Sequence, residues 1–259
     1  SMPPKGNIAF VSQSGALADS IIDWSIQARY GFSTVISYGN KAMLDCHDFF
    51  DFLAADDETR AVALYIEGVN NGRDFFEKLR TTVAKKPVII LKGGRTGSGI
   101  AAAATHTASL AGNAKIFNAA VKQSGAVLVD TVEELFDIAK VLAEQPVCKG
   151  NGIGVVTNGG GCGVICSDYC EELGVNLPQL QKSVLKTFEK SGIMHPAYSG
   201  RNPLDIVGDA LPNRYELAIN TLLKEPYIHG LIIIQTLQAM TNTVLDAKVI
   251  VDAHKQFPD

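Results

Sequence analysis

No stretch of the 259-residue chain stays apolar for the ~18 residues that a membrane-spanning helix needs. Nothing in it reads as a signal peptide. A basic block is also missing: 23 Lys and Arg stand against 27 Asp and Glu, for a net charge of −4. No partnership with nucleic acid or a membrane is expected from such a balance. Cysteine is too sparse for a framework. The five residues, Cys46, Cys148, Cys162, Cys166 and Cys170, are odd in number and contain no CxxC pair. This usage fits a reducing cytoplasm better than a disulfide scaffold. Cys162, Cys166 and Cys170 recur every four residues on one face of an expected helix, and they read as small packing residues with no metal. Tryptophan occurs once, as Trp24, expected in a core or against another domain.

What is present is 46% hydrophobic residues, enough to fill real cores, in short runs separated by turns. NIAFVS, STVISY, AVALYIE, PVIILKG and AVLVD are strands rich in Val, Ile and Leu. Helical stretches follow them: ALADSIIDWSIQARY, DCHDFFDFLAA, GRDFFEKLRTTVA, NAKIFNAAVKQSG and TVEELFDIAKVLAE. Continuous apolar strands alternating with helices predict parallel sheets covered on both faces, in the doubly wound, flavodoxin-like α/β class. Thr131 and Glu134 form a capping box for the last of these helices.

A polar Pro/Gly segment, EQPVCKGNG, interrupts the pattern, which then restarts. GIGVVTNGGGCG echoes NIAFVSQSGALA, and GLIIIQT followed by a helix echoes AVALYIE followed by one. Two domains are therefore expected, residues 1–147 and 148–259. By the same echo a further strand is due after KQFPD, so the second domain reads as truncated at its C-terminus. The opening Ser1-Met2 reads as an expression remnant, with the natural start further upstream.

Two strand-to-helix turns carry the chemistry. SQSG (Ser12, Gln13, Ser14, Gly15) and NGGG (Asn158, Gly159, Gly160, Gly161) each lead into a helix. Helix N-termini offer unpaired N–H groups and the positive end of a dipole, and Ser12, Ser14 and Asn158 add side-chain donors. Any turn of this kind favours Gly, Ser and Asn as caps. Two at equivalent positions favour a phosphate-binding reading, and both are expected to meet one anion. Neither fits GxGxxG or GxxxxGK[ST], so no nucleotide fingerprint is present.

In ATHTASLAG, His106 stands among small residues, on what reads as an exposed loop after the equally glycine-rich GGRTGSG, itself expected to be a mobile loop. A neutral imidazole oriented by an acceptor is a competent phosphoryl acceptor. Glu67, ending AVALYIE, lies where parallel-sheet ligand sites form and is the candidate orienter. The other histidines carry no such pairing: His47 is expected on a helix surface, His195 in a loop, His229 before a strand and His254 on the last helix. Asp205 is expected to brace the second glycine turn.

GNIAFVSQSGALA, SYGNKAMLD, LYIEGVNNGRDF, KPVIILKGGRT, THTASLAG, VDTVEELFD, VVTNGGGCGV and NPLDIVGDA, in this order, resemble the ADP-forming acyl-CoA synthetases (acetate-CoA ligase type) of the succinyl-CoA synthetase superfamily. The resemblance spans nearly the whole chain and implies an acid–thiol ligase in the cytoplasm. It implies that His106 is the phosphorylated residue, Glu67 its partner, and the two turns the phosphate site. The implied reaction interconverts acyl-CoA, ADP and phosphate with acid, CoA and ATP. It also implies a CoA-binding Rossmann domain, an ATP-grasp domain or subunit that takes ADP/ATP with Mg, and an oligomer. None of these is in the present residues, so the segment alone is expected to be inactive. The common motif reads SHTGSLAG; Thr105 and Ala108 depart from it. The competing reading is a regulatory, ligand-sensing module of a protein acetyltransferase fusion, in which such domains typically lack the histidine.

Overall fold

The computed structural model describes residues 3–39, 43–107 and 113–258, without the side chains of 103–107. The chain forms two units, Ser1–Gln145 and Pro146–Asp259.

The first unit is a five-stranded parallel sheet. Its strands are β1 (Lys5–Ser12), β2 (Phe32–Ser37), β3 (Ala61–Ile66), β4 (Val88–Lys92) and β5 (Val127–Val129), in the order β2-β1-β3-β4-β5. This is the flavodoxin-like order, in which direction reverses beside β1 and ligands bind at the strands' C-terminal ends. The helices are α1 (Gly15–Ala28), α2 (Phe50–Ala55), α3 (Gly72–Val83), α4 (Gly97–Thr107), α5 (Ala114–Ser124) and α6 (Val132–Glu144).

Strand periodicity sorts the residues into two cores. Ile8, Phe10, Ala61, Ala63, Ile89 and Leu91 face α1 and α6, where Phe136 is fully buried. Ala9, Val11, Val62, Leu64, Ile66 and Ile90 face the other side, with Phe50, Phe75 and Leu79. Trp24 belongs to the first core, 5.0 Å from Tyr30 and 5.6 Å from Phe136 between ring centroids. Truncating Phe136 to alanine would cost about 3–5 kcal/mol, because the cavity left behind cannot collapse. The capping box of α6 is formed: Glu134 N–H donates to Thr131 Oγ1 at 3.1 Å, and Thr131 N–H to Glu134 Oε2 at 3.2 Å.

One segment differs from expectation. The last three residues of GGRTGSG and all of ATHT lie in helix α4 instead of a loop, while Gly93 to Thr96 stay non-helical. Gly97 and Gly99 fall in its first turn, where Thr96 Oγ1 accepts from Gly99 N–H and Thr96 O from Ile100 N–H. The alanine run that follows has the highest helix propensity of any sequence and carries the helix onward.

The second unit repeats part of this plan. Strands β6 (Ile153–Thr157), β7 (Leu204–Asp205) and β8 (Gly230–Ile234) form a parallel sheet in the order β7-β6-β8, with helices α7 (Gly160–Glu172), α8 (Lys182–Ser191), α9 (Pro212–Leu222) and α10 (Thr243–Gln256). Its core gathers Val156, Phe188, Leu204, Tyr215, Ile219 and Leu222. The register makes the repeat concrete. Ser12 pairs with Ser37 and Tyr65 in the first sheet, as Thr157 pairs with Asp205 and Ile234 in the second. Among the described residues, no helix is long and apolar enough to cross a membrane.

Candidate functional site

The first turn begins where β1 ends. Ser12 is fully buried. Its hydroxyl accepts from Ser14 N–H at 3.1 Å and donates to Ser14 O at 2.8 Å, so it shapes the turn and is not a free donor to a ligand. Ser14 caps α1, accepting from Leu17 N–H at 3.3 Å. That leaves the Gly15 and Ala16 N–H groups at the helix start, with no acidic residue in the first turn to oppose an anion.

Gln13 bridges this turn to the neighbouring strand. Its side-chain oxygen accepts from the N–H groups of Glu67 at 2.7 Å and Gly68 at 3.1 Å. Its Nε2 is buried and has no partner among the described residues. Glu67 lies just past β3 and is only 7% exposed. The Tyr65 hydroxyl donates to its Oε1 at 3.2 Å, while Oε2 is buried with no partner among the described residues. A buried carboxylate oxygen in that condition is costly and marks a place where a further donor fits. Burial and the neighbouring Glu67 charge push the Tyr65 phenol up to about 12, so it remains a donor through the neutral range. Lys92, the last residue of β4, is 3% exposed and donates from Nζ to Glu67 O at 2.6 Å and also to Gly93 O. Its ammonium stands 5.6 Å above the Phe117 ring.

Sequence reasoning singled out Glu67, and Gln13 as part of a phosphate-binding turn rather than as a brace on Glu67, and did not single out Tyr65 or Lys92. The signals were there: a lysine closing an otherwise apolar buried strand, and a tyrosine two residues before the glutamate. His106 falls within the span of α4, but its side chain lies outside the described residues, as do residues 108–112.

The second turn is built like the first. Thr157 Oγ1 accepts from Gly159 N–H at 3.0 Å and donates to Gly159 O at 3.1 Å. Asn158 Oδ1 accepts from Thr236 N–H at 2.7 Å, and its Nδ2 donates to Thr236 O at 3.1 Å, so this amide clamps β8 as Gln13 clamps β3. Gly160 and Gly161 open α7, whose cap Gly159 offers no side chain. The turns differ at the cap, where Ser14 has a side chain and Gly159 none, and in the space around the first helical glycine. A Cβ on Gly160 would lie 2.6 Å from Asp205 Oδ2, whereas one on Gly15 would meet only Ser37 Oγ at 3.7 Å. Asp205 Oδ1 accepts from Val207 N–H at 2.9 Å, and Val207 takes a positive φ of 70°, which is strained for a β-branched residue.

The remaining histidines separate. His47 is buried rather than on a helix surface, because a 3₁₀ turn (Cys46–Phe49) held by the Asp45/Asp48 capping box turns it inward. His195 lies in a loop, accepting from Ala197 N–H, His229 precedes β8, accepting from Gly152 N–H, and His254 is on α10. Cys170 is buried, while Cys162 and Cys166 are half-buried. Asp45, Cys46 and His47 bring three ligating atoms within 4.8 Å of one another. The Asp45 carboxylate is engaged by the N–H groups of Cys46 and Asn70, and a thiol–imidazole–carboxylate set does not suit Mg²⁺, which requires oxygen ligands.

Comparison with known proteins follows the same division. The family described as "Succinyl-CoA ligase like flavodoxin domain" matches residues 5–142, and "Ligase-CoA domain" matches residues 153–257. The chain is 41% identical over 242 residues to the acetate–CoA ligase [ADP-forming] II subunit alpha of Pyrococcus furiosus, covering 92% of this chain and 52% of that one. It is 39% identical over 251 residues to the isoenzyme I subunit alpha of the same organism, covering 97% and 54%. A solved structure of acetyl-coenzyme A synthetase 1 from Ca. Korarchaeum cryptofilum, in complex with phosphate and ADP, superposes with a TM-score of 0.92 at 37% identity, over 99% of this chain and 55% of that one. The chain thus spans about half the length of these relatives.

Proposed function

The chain belongs to the succinyl-CoA ligase-like flavodoxin domain family, and from that premise we propose that it is the phosphohistidine-bearing core of an ADP-forming acyl-CoA synthetase. The observation that carries the reading is Glu67. It is a buried carboxylate at the C-terminal end of the sheet, with one oxygen held by Tyr65 and the other without a partner among the described residues.

In this reading phosphate attacks the acyl carbonyl of an acyl-CoA and expels CoA as its thiolate, giving an acyl phosphate. The His106 imidazole then attacks phosphorus, and the carboxylic acid departs as carboxylate. Glu67 accepts the other imidazole N–H, which fixes the tautomer and offsets the positive charge that forms on phosphorylation. The phosphoryl group finally passes to ADP, releasing neutral imidazole and ATP. The N–H groups of Gly15 and Ala16, beside the Ser14 hydroxyl, are the first anion cradle. Those of Gly160 and Gly161 are the second. The acid is a small carboxylic acid. CoA and the nucleotide, with its Mg²⁺, belong to a CoA-binding domain and an ATP-grasp domain or subunit outside this segment, and the metal does no chemistry in it. The assembled protein is an oligomer of the cytoplasm.

The test is net turnover by the full-length protein, followed as ATP formed from acetyl-CoA, ADP and phosphate. Glu67→Gln should lower kcat by a factor of roughly 10² with the fold retained, the usual scale for losing a group that sets an imidazole's role. Unchanged turnover by that variant would refute the assignment.

A further inference from the structure

Tyr65 lies on β3 and Glu67 just past its end, and the tyrosine hydroxyl reaches Glu67 Oε1 at 3.2 Å. The opposite oxygen has no partner among the described residues. The Tyr65 ring packs against the core beneath α1 and α6, so the hydroxyl is delivered from a fixed base. The next strand leaves room for it. Gly93 follows β4, and a Cβ there would lie 2.7 Å from the Tyr65 hydroxyl and 3.3 Å from Glu67 Cγ. Below the same carboxylate, Lys92 Nζ holds the Glu67 carbonyl at 2.6 Å, and Gln13 holds its N–H. The backbone of Glu67 is thus pinned at both its donor and its acceptor. The side chain would still turn about its own bonds if Tyr65 did not fix one oxygen.

We propose that Tyr65 is a positioning residue for the phosphoryl-transfer site: its hydroxyl holds Glu67 Oε1 so that Oε2 faces the reacting imidazole, and Gly93 supplies the space for that bond. The inference rests on the role given above to Glu67. Tyr65 touches neither substrate nor His106 in this account; it acts only through the carboxylate. Its contribution should therefore vanish when the carboxylate is gone.

The experiment is a double-mutant cycle in the full-length protein, read as the single-turnover rate of histidine labelling from γ-labelled ATP. Tyr65→Phe keeps the buried ring and should lower the rate about tenfold, the scale of one hydrogen bond to a charged group, with the half-saturating ATP concentration unchanged. In a Glu67→Gln background the same substitution should have almost no further effect, since residues acting as a unit are not additive. Gly93→Ala, which leaves both side chains present but displaces the hydroxyl, should reproduce the Tyr65→Phe loss. A wild-type rate for Tyr65→Phe, or an equal tenfold loss in both backgrounds, overturns the proposal. A Glu67→Gln protein that labels at the wild-type rate overturns the Glu67 assignment itself, and the role of Tyr65 falls with it.

Discussion

One oxygen of Gln13 accepts the backbone N–H of Glu67 at 2.7 Å, tying the turn after β1 to the end of β3. Gly68 N–H shares the same acceptor at 3.1 Å. Gln13→Leu should therefore destabilise the first unit by roughly 1–3 kcal/mol, because two buried N–H groups lose their acceptor at once. Urea unfolding measures this. A change below about 0.5 kcal/mol, the range of an inert surface substitution, would contradict it.

The two glycines that open α1 and α7 should respond differently to alanine. Gly15→Ala adds a methyl in ordinary contact with Ser37 Oγ and improves helix propensity, so it should be neutral or stabilising by up to about 1 kcal/mol. Gly160→Ala drives a methyl into Asp205 Oδ2 and should cost about 1–3 kcal/mol. Thermal unfolding of the two variants side by side decides the point, and equal shifts would contradict it.

Asp246 is fully buried on α10. Its Oδ2 accepts from Gln235, while Oδ1 has no partner among the described residues. Burial pushes its carboxyl above the usual range. The folded state thus binds this proton more tightly than the unfolded state does. The group's contribution is most favourable at low pH and is lost as pH rises through the raised value. Asp246→Asn, which keeps an oxygen for Gln235, should raise Tm at pH 7, with the gain shrinking toward pH 3. A variant less stable at pH 7, or a gain confined to acid, would contradict this.

Much of the first sheet was legible because buried parallel strands read as apolar runs: Ile8 to Val11 and Val88 to Leu91 declare themselves. Glu67 was legible because a carboxylate ending such a run is conspicuous. Helix α4 was not, since the glycines from Gly93 to Gly99 make the segment read as loop, yet Gly97 and Gly99 sit in its first turn and the alanines carry it on. Helices α8 and α9 went unread behind the motif at Asn202–Ala210. Ser12 was expected to donate outward, but a serine two residues before a helix cap bonds the turn itself. Tyr65 and Lys92 left a trace in the sequence, a tyrosine two residues before the glutamate and a lysine closing an apolar run, but which atoms they bond, Glu67 Oε1 and the Glu67 carbonyl, only the fold displays.

The central claim is that His106 carries the phosphoryl group. The direct measurement is labelling of the full-length protein with γ-³²P-ATP, followed by peptide mapping of the acid-labile, alkali-stable phosphate. Label on the peptide containing His106, abolished in His106→Ala while the variant keeps its fold, is the predicted result. Histidine label that persists in His106→Ala would place the acceptor elsewhere and contradict the account.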